Sequence, residues 1–331
     1  MYAFSYKNTK VVLAKAFNTM DIKPLVEASC QGNFSRCLVI DHPPTPVLEQ
    51  LLVELSEKHT EVHYRDHHLS ERVSYPELNG KIKSTIVTRQ EHPSCSTLVD
   101  VGEFEKGVIV ADNDMDGFLS AMKAMGLSYP KLDSDAGILD GPVSGMVQEH
   151  LSTLGFLFMK AWKGLPSFHD NKYEKAVDEV VTGYIEAVTT DDFSRLEKSS
   201  KEYDAKVENT FSVMNRSYIE NGYRLLVVNT SDIFEPVNLA QMLDAGVPVS
   251  GRIVTTGPIA KIHGSQVSLA RTKLGEKHID FEQIATEAFG PKNNWGPETG
   301  IISNTPFLIH FSIEKWEIFK PFLTKAIARE E

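Results

Sequence analysis

Short apolar runs that end in clusters of polar residues recur through the first part of the chain, and they constrain its fold more than any other feature. The four runs lie at residues 36–41, 61–68, 107–117 and 136–141. Between them, residues 45–58 and 117–126 carry apolar side chains at three- and four-residue spacing, which predicts amphipathic helices. Buried strands that alternate with such helices form a mostly parallel sheet covered by helices. We therefore predict an α/β fold in which the polar clusters lie at the carboxyl ends of strands, where ligands bind.

The rest of the chain predicts a helical connector followed by a smaller α/β domain. From about residue 143 to residue 220 the apolar spacing is helical, with Gly and Pro between the segments. The elements predicted for the last domain are strands at 223–229, 250–256 and 266–270 and helices near 235–244, 279–288 and 312–329. The predicted boundaries are 1–150 for the first domain, 151–222 for the connector and 223–331 for the last domain.

The composition is that of a globular protein with two cores. Of the 331 residues, 41% are hydrophobic and 24% are charged, which suffices for two ordinary domains and argues against disorder. No apolar stretch reaches the roughly 18 residues of a membrane-spanning helix, and residues 1–17 lack a secretory-signal pattern. The cysteines Cys30, Cys37 and Cys95 form no CxxC pair and are typical of reduced thiols. We therefore expect a cytoplasmic protein with no membrane partner.

The net charge of −11 limits the kind of polyanion that the chain can bind. Proteins that follow long nucleic acids usually carry a basic stripe, because neutralised phosphates supply much of the affinity. The sequence has no such stripe. A polyanionic substrate should therefore be short, or be held locally by metal ions and a few basic residues.

Three alternating aspartates, Asp112, Asp114 and Asp116, follow an apolar run and precede a predicted helix. In an extended segment their side chains point the same way, and they repel one another unless a cation lies among them. Oxygen ligands suit Mg or Mn, whereas a helix cap needs only one aspartate. EF-hand loops begin with the same pattern, but Lys123 stands where their closing glutamate belongs and the preceding run is strand-like. Calcium sensing is therefore not expected.

Two further polar clusters occupy equivalent places. Asp66, His67 and His68 end the run at 61–68, and Asp41 ends the run at 36–41. A neutral imidazole is a good ligand for a transition metal, and a neighbouring histidine can protonate and hold a phosphate oxygen. The three clusters together predict a metal site at one edge of the sheet.

These clusters resemble the motifs of the DHH phosphoesterase superfamily, which includes RecJ-type exonucleases, nano-RNases, cyclic-dinucleotide phosphodiesterases and one class of inorganic pyrophosphatase. The matching residues are Asp66, His67 and His68 for the name motif, Asp112, Asp114 and Gly117 for the D-x-D motif, and Asp41 for the isolated strand-end aspartate. Residues 91–99 resemble the proline- and serine-containing stretch that follows the name motif. The resemblance implies an α/β catalytic domain at 1–150 and a DHH-associated domain at 223–331.

The order of the motifs differs from that of the family. Family members run from D-x-D to the lone aspartate to DHH, whereas here the D-x-D comes last, which resembles a circular permutation of the catalytic domain. Val108 and Val110 occupy the region in which many members carry a histidine. The candidate for the family's fourth aspartate motif is Asp140, with Asp100 as its rival.

The end of the chain carries a second likeness. DHH-associated domains have a strand with serine and arginine, then a helix, then a glycine-rich loop with a histidine; here these parts are residues 266–273, 281–289 and 290–296. The usual histidine is absent, and Asn293 or Asn294 stands in its region. Trp295 could stack on a base or pack between domains.

The resemblance implies a metal-dependent phosphodiesterase with two divalent cations, Mn more than Mg. The implied metal ligands are Asp41, His67, Asp112, Asp114 and Asp140. The implied catalytic residues are Asp66, His68 and Asp116. The implied substrate contacts are Ser268, Arg271, Asn293, Asn294 and Trp295.

The expected function is that of an exonuclease or short-oligonucleotide hydrolase, whose partner is a short nucleic acid. Two alternatives stay open from the sequence. One is a small-molecule phosphatase or pyrophosphatase, and the other is a nucleotide-binding protein with an altered site. The sequence leaves the oligomeric state open.

Overall fold

The structure is a computed structural model of the 331-residue chain. The described residues are 1–14, 22–32, 34–43, 45–69, 82–140, 150–166, 170–228, 233–234, 236, 239–240, 258–271, 279–291, 301–305 and 308–329. The chain divides into two compact units. Unit 1 comprises Met1–Lys163 and Glu174–Ser200, and unit 2 comprises Gly164–Tyr173 and Lys201–Glu331. The segment predicted as a connector, 151–222, contributes to both units.

Unit 1 contains a mostly parallel six-stranded sheet. Its strands are β1 (Tyr2–Tyr6), β2 (Thr9–Ala14), β3 (Arg36–Ile40), β4 (Glu61–Asp66), β5 (Ile82–Ile86) and β6 (Val108–Asp112). They lie in the order β1-β2-β6-β3-β4-β5, and only β1 pairs antiparallel with its neighbour. The predicted α/β class with a mostly parallel sheet is confirmed.

The helices described in this part of the chain are α1 (Lys23–Cys30), α2 (Pro46–Lys58), α3 (Met115–Ala124), α4 (Leu132–Asp140), α5 (Thr153–Gly164), α6 (Tyr173–Thr190) and α7 (Ser194–Arg216). Of these, α2 and α3 begin and end close to the predicted ranges 45–58 and 117–126. Helix α2 begins at a Thr45 cap whose side chain accepts the Leu48 N–H, with Pro46 at its first turn. None of the described helices combines the length and apolarity needed to cross a membrane.

The sheet order places the carboxyl ends of three motif-bearing strands side by side. Strands β6, β3 and β4 are neighbours, and they lead into Asp112, Asp41 and Asp66 respectively. This spatial order is the order in which the DHH family carries its three motifs along the chain. The fold therefore brings the three motifs to one edge of one sheet.

The prediction of a strand at 136–141 is wrong. Residues up to Asp140 belong to helix α4, whose buried residues Leu132, Asp135, Ala136 and Leu139 recur at helical spacing. A short apolar run does not by itself distinguish a buried strand from a buried helix. Asp140 therefore stands at the end of a helix and not at the end of a strand.

Aromatic packing joins α3 to the helices that follow it in unit 1. The Phe118 ring stacks on Phe158, with ring centroids 5.0 Å apart, and meets Trp162 and Tyr184 at 5.1 and 5.3 Å. Phe118, Phe158 and Tyr184 are fully buried. This burial fixes α3, which begins directly at the edge of the sheet that carries the motifs.

Unit 2 contains a second, mostly antiparallel sheet. Its strands are β7 (Tyr218–Glu220), β8 (Tyr223–Val228), β9 (Ile259–His263), β10 (Gln266–Ala270), β11 (Ile301–Thr305) and β12 (Leu308–Ser312), in the order β11-β12-β10-β9-β8-β7. Helices α8 (Phe281–Phe289) and α9 (Ile313–Ala328) supply apolar side chains to its core. The strands predicted at 223–229 and 266–270 are confirmed, and the one at 250–256 lies outside the described residues.

Candidate metal centre

Asp41 stands at the sharp bend that ends β3. Its φ is 62°, in the left-handed region that aspartate tolerates better than most residues, and its N–H donates to the Arg65 carbonyl oxygen at 3.0 Å. Its side chain is 1% exposed. A strained backbone at a buried carboxylate is characteristic of functional sites.

His67 presents a bare ring nitrogen to buried carboxylates. Its Nδ1 lies 2.9 Å from the His92 carbonyl oxygen, which can only accept, so Nδ1 carries the proton and Nε2 carries the lone pair. No hydrogen-bond partner reaches Nε2 among the described residues. Nε2 instead lies 3.3 Å from Asp41 Oδ1, 3.5 Å from Asp116 Oδ2 and 3.7 Å from Asp140 Oδ2. A lone pair among three carboxylates is unfavourable unless a cation lies between them.

The pKa shifts of the clustered side chains also indicate that a cation is needed among them. Burial lowers the pKa of His67, so the neutral imidazole is favoured. Burial and the surrounding carboxylates, Asp116 first among them, raise the pKa of Asp41 well above its usual range. Burial and the neighbouring Asp114 raise the pKa of Asp116 to about 8. The protein alone therefore does not compensate the charge of this cluster, and a divalent cation would.

The carboxylate of Asp116 accepts hydrogen bonds from the segment at 91–99, which follows the DHH motif in the sequence. Its Oδ1 accepts hydrogen bonds from the hydroxyls of Ser94 and Ser120, and its Oδ2 accepts the Cys95 N–H at 2.9 Å. Cys95 opens a short 3-10 helix, Cys95–Leu98, and its Sγ donates to Asp41 Oδ1 at 3.4 Å. Burial raises the pKa of the Cys95 thiol. Its prediction as an unpaired thiol is confirmed, but sequence reasoning missed its place in the centre.

Two groups of ligand atoms lie close enough to hold an ion. The first group is Asp41, His67, Cys95 and Asp116, and the second is Asp41, Asp66 and His68; within each group the ligand atoms lie within 4.8 Å of one another. Asp41 belongs to both groups. The donor types, carboxylate oxygen, imidazole nitrogen and sulfur, all bind divalent metals. These residues can therefore hold a divalent metal ion.

Asp112 and Asp114, both predicted ligands, make hydrogen bonds to the backbone around the start of α3. Asp114 Oδ1 accepts the Gly117 N–H at 2.8 Å and caps the helix, while Asp112 Oδ1 accepts the Asn113 N–H at 2.7 Å. Both carboxylates raise the pKa of Asp41 through their charge, so they lie near the centre. Their role as ligands stays a prediction.

Of the two candidates for the fourth aspartate motif, Asp140 lies in the cluster. Its Oδ2 is 3.7 Å from His67 Nε2. Asp100 is exposed, and its N–H donates to Glu103. The structure thus places Asp140, at the end of α4, beside residues that come from β3, β4 and α3.

His68 is fixed on both of its ring nitrogens. Its Nδ1 lies 2.6 Å from Asp66 Oδ1, and its backbone N–H donates to Asp66 Oδ2 at 3.0 Å. Arg89 donates to His68 Nε2 at 2.8 Å and to Asp140 Oδ1 at 3.0 Å. The Arg89 side chain is 48% exposed. Sequence reasoning missed Arg89, because nothing in its local pattern marks it.

The residues predicted to contact substrate fall in unit 2 or outside the described residues. Ser268 lies on β10, with its hydroxyl 2.8 Å from His310 Nδ1, and Arg271 directly follows that strand. Asn293, Asn294 and Trp295 lie outside the described residues. The substrate-binding role of these residues stays a prediction.

No protein-family model and no curated protein sequence matches the chain. Among solved structures, the chain is similar to RecJ from Thermus thermophilus in complex with Mn²⁺, with 12% identity and a TM-score of 0.39 over 92% of this chain. The chain spans about half, 54%, of the length of that RecJ. It is also similar to the DHH domain of a member of a ribosomal-protein family, with 12% identity and a TM-score of 0.35, over 91% of this chain and 89% of that one.

The motif residues are a more specific likeness than these superpositions. Asp41, Asp66, His67 and His68, drawn from two separate strand ends, fall into two groups of ligand atoms that share Asp41, and Asp116 belongs to the group of His67. In these motifs, and in the cluster that the fold builds from them, the chain is similar to the DHH phosphoesterase superfamily.

Proposed function

We propose that the chain is a metal-dependent phosphoesterase of the DHH kind that hydrolyses phosphodiester bonds in short nucleic acids. One observation carries the proposal. The Nε2 lone pair of the buried His67 faces carboxylate oxygens from three other elements, at 3.3–3.7 Å. Structural ion pairs and hydrogen bonds do not explain this arrangement, because Nε2 has no proton to donate. A bound cation does explain it.

Two divalent cations, Mn²⁺ in preference to Mg²⁺, would be held by these side chains. The ligands would include Asp41, His67 and Asp116 for one ion and Asp41 with residues of the DHH motif for the other. When bound, such ions lower the pKa of a water nucleophile and stabilise charge on the leaving oxygen. Asp41 belongs to both groups of ligand atoms and would therefore be available to either ion.

The remaining residues of the centre would orient the phosphate. Asp66 holds the His68 ring in one orientation through Nδ1, so Nε2 faces the guanidinium of Arg89. Arg89 keeps about half of its surface exposed, which leaves donors for a phosphate oxygen. A cation beside a group of carboxylates would also draw an anionic substrate to the centre.

The substrate class follows from charge and from the resemblance of unit 2. A chain with a net charge of −11 does not favour long polyanions, which supports short oligonucleotides. Ser268, Arg271 and the loop at 290–296 are proposed to contact the substrate beyond the scissile phosphate.

The test is hydrolysis of end-labelled RNA and DNA, short and long, with Mn²⁺ or Mg²⁺. We expect a ladder of shortened products from short strands, and its loss in His67→Gln. His63→Gln is the matched control, because His63 lies on β4, the strand that leads into His67, and pairs with Glu61, away from the cluster. Hydrolysis that survives in His67→Gln would contradict the assignment.

Two other outcomes would indicate a different function. Intact oligonucleotides together with phosphate release from pyrophosphate or small phosphate esters would indicate a phosphatase. Dinucleotide binding in calorimetry without turnover of any substrate would indicate a nucleotide-binding protein.

A further inference from the structure

The thiol of Cys95 occupies a position that packing alone does not explain. It is 0% exposed, its N–H is bound to Asp116 Oδ2, and its Sγ lies 3.4 Å from Asp41 Oδ1. The Sγ, two carboxylate oxygens and His67 Nε2 all lie within 4.8 Å of one another. A sulfur donor therefore completes a set of four ligand atoms.

Three of the separations within this set match those between ligands of a tetrahedral ion. Metal bonds of about 2.0–2.2 Å to oxygen and nitrogen and about 2.3 Å to sulfur place the corners of a tetrahedron roughly 3.3–3.6 Å apart. The observed separations are 3.3 Å between His67 Nε2 and Asp41 Oδ1, 3.5 Å between His67 Nε2 and Asp116 Oδ2, and 3.4 Å between Sγ and Asp41 Oδ1. Cys95 Sγ therefore lies at a ligand-to-ligand distance from Asp41 Oδ1.

A second observation separates this set from an ordinary acidic cluster. His67 Nε2 and Asp41 Oδ2 are buried atoms with no hydrogen-bond partner among the described residues. The two residues are 0% and 1% exposed, so water does not satisfy these atoms at the surface. Both atoms belong to residues of the set that contains Cys95 Sγ.

We propose that Cys95 is a metal ligand, and that it makes this subsite a tetrahedral, thiolate-containing one with a preference for Zn²⁺ or Co²⁺ over Mg²⁺. The proposal rests on the proposed function only in requiring a cation at this centre. When the ion binds, the Sγ–H proton passes to solvent, and a sulfur–metal bond replaces the hydrogen bond to Asp41. A thiolate is a soft ligand, which favours Zn²⁺ and Co²⁺ and leaves Mn²⁺ intermediate.

The test is a Co²⁺ titration of the full chain, followed by absorption spectroscopy. We expect an intense near-ultraviolet thiolate-to-cobalt charge-transfer band in the wild type, and its loss in Cys95→Ser. Cys37→Ser is the matched control, since Cys37 is an equally buried thiol that packs in the apolar core of the same unit. That variant should keep the full band. Circular dichroism of each variant verifies its fold.

Competition between metals supplies the second readout. Cys95→Ser should weaken Zn²⁺ binding by at least roughly tenfold and weaken Mn²⁺ binding less. Cys95→Asp should restore Mn²⁺ binding without the charge-transfer band. A wild type without the band, a band that survives in Cys95→Ser, or equal losses for Zn²⁺ and Mn²⁺ would overturn the proposal.

The two proposals fail in different ways. If Mn²⁺-dependent hydrolysis is present but the charge-transfer band is absent, the ligand assignment fails and the phosphoesterase stands. If the band is present but no phosphoester is hydrolysed, the thiolate site stands and the proposed function fails.

Discussion

Arg89 links two residues at the edge of the metal centre that belong to different motifs. It donates to His68 Nε2 and to Asp140 Oδ1, at 2.8 and 3.0 Å. The first bond uses His68 Nε2 as an acceptor while Nδ1 contacts Asp66, so both ring nitrogens are engaged. The second bond places a permanent positive charge next to the carboxylates. This geometry suits a residue that trades one protein acceptor for a phosphate oxygen when substrate arrives.

We expect Arg89→Ala to lower kcat/KM for a phosphodiester substrate by roughly 10- to 100-fold. A charge-assisted hydrogen bond contributes about 1.5–3 kcal/mol, which corresponds to that range. Arg89→Lys should lower kcat/KM less than Arg89→Ala does, because lysine keeps the positive charge. It should still fall short of the wild type, because lysine lacks the planar donor pair. Steady-state kinetics with a short oligonucleotide measures both variants.

Arg36→Ala provides the control for that prediction. Arg36 also lies in unit 1 and also pairs with a carboxylate, Glu61, but it makes no contact with the centre. Its loss should leave kcat/KM within about twofold of the wild type, since its ion pair with Glu61, its hydrogen bond to the Glu103 carbonyl oxygen and its contact with the Phe104 ring all lie outside the centre. If both arginine variants behave alike, Arg89 acts through stability and does not contact the phosphate.

At the scale of elements, the start of α3 depends on one glycine. A Cβ on Gly117 would lie 2.5 Å from the Asp112 carbonyl oxygen, closer than real Cβ contacts come. The absence of that Cβ lets α3 begin directly after β6, with Asp114 as its cap and Asp116 in its first turn. The glycine of the D-x-D-x-D-G pattern is therefore a steric requirement of the turn that presents two of its aspartates.

We expect Gly117→Ala to destabilise unit 1 by roughly 1–3 kcal/mol and to weaken metal binding. Helix propensity alone would predict the opposite sign, a gain of up to about 1 kcal/mol, so the sign of the change identifies the clash. Urea unfolding and a metal titration measure the two effects.

Gly137→Ala in α4 is the matched substitution. Its added Cβ would meet the Pro93 side chain at 3.3 Å, a tight contact that a small shift relieves. A stability close to that of the wild type is expected there. Equal losses at both glycines would show that neither result reports on the turn before α3.

The elements that the sequence predicts best are those with the longest periodic signal. Helices α2 and α3 and strands β3, β4 and β6 lie where the apolar spacing places them. The sequence does not predict the hairpin of β1 and β2, because β1 alternates between buried and exposed residues and carries no apolar run. It predicts a strand in place of helix α4, because the short run at 136–139 is too brief to separate the strand period from the helix period.

Some residues of the site are predictable from local sequence, and others depend on contacts between segments that are distant in the sequence. Aspartates and histidines at strand ends are visible in the sequence, because parallel strands bring their carboxyl ends together. Cys95 and Arg89 are not visible, because they reach the centre from loop segments whose position depends on the whole fold. The structure also assigns Asp116 to the same buried group as His67, which the alternation of three aspartates alone does not distinguish.

At the scale of the whole molecule, the centre adds to a surplus of negative charge. The chain has 45 acidic and 34 basic residues, and several of the carboxylates are buried together in unit 1. Self-repulsion of this kind destabilises the folded state. A cation that binds the folded state alone stabilises it in proportion to the logarithm of its concentration over its dissociation constant. Metal and proton should therefore act as alternative stabilisers.

We expect the melting temperature of the chelator-treated protein to fall as the pH rises from about 6.5 to about 8. Burial and neighbouring carboxylates raise the pKa of Asp116 to about 8, and they also raise the pKa of Asp41, whereas an unfolded aspartate titrates near 3.9. In that window these aspartates bind more protons in the folded state than in the unfolded state, and the buried His42 and His67, whose pKa values are lowered, are largely neutral in both states, so the free energy of unfolding decreases with rising pH. Thermal scans across that range measure the slope.

Added Mn²⁺ should reverse this dependence, because the ion replaces the proton among the same carboxylates. The rise in melting temperature on adding Mn²⁺ should be larger near pH 8 than near pH 5, where protons compete for the ligands. Asp116→Asn removes one of the titrating groups and should flatten the slope of the metal-free protein. A metal-free protein whose stability rises with pH would mean that the carboxylates are already compensated within the fold, and the case for a cation at His67 would then lose its electrostatic basis.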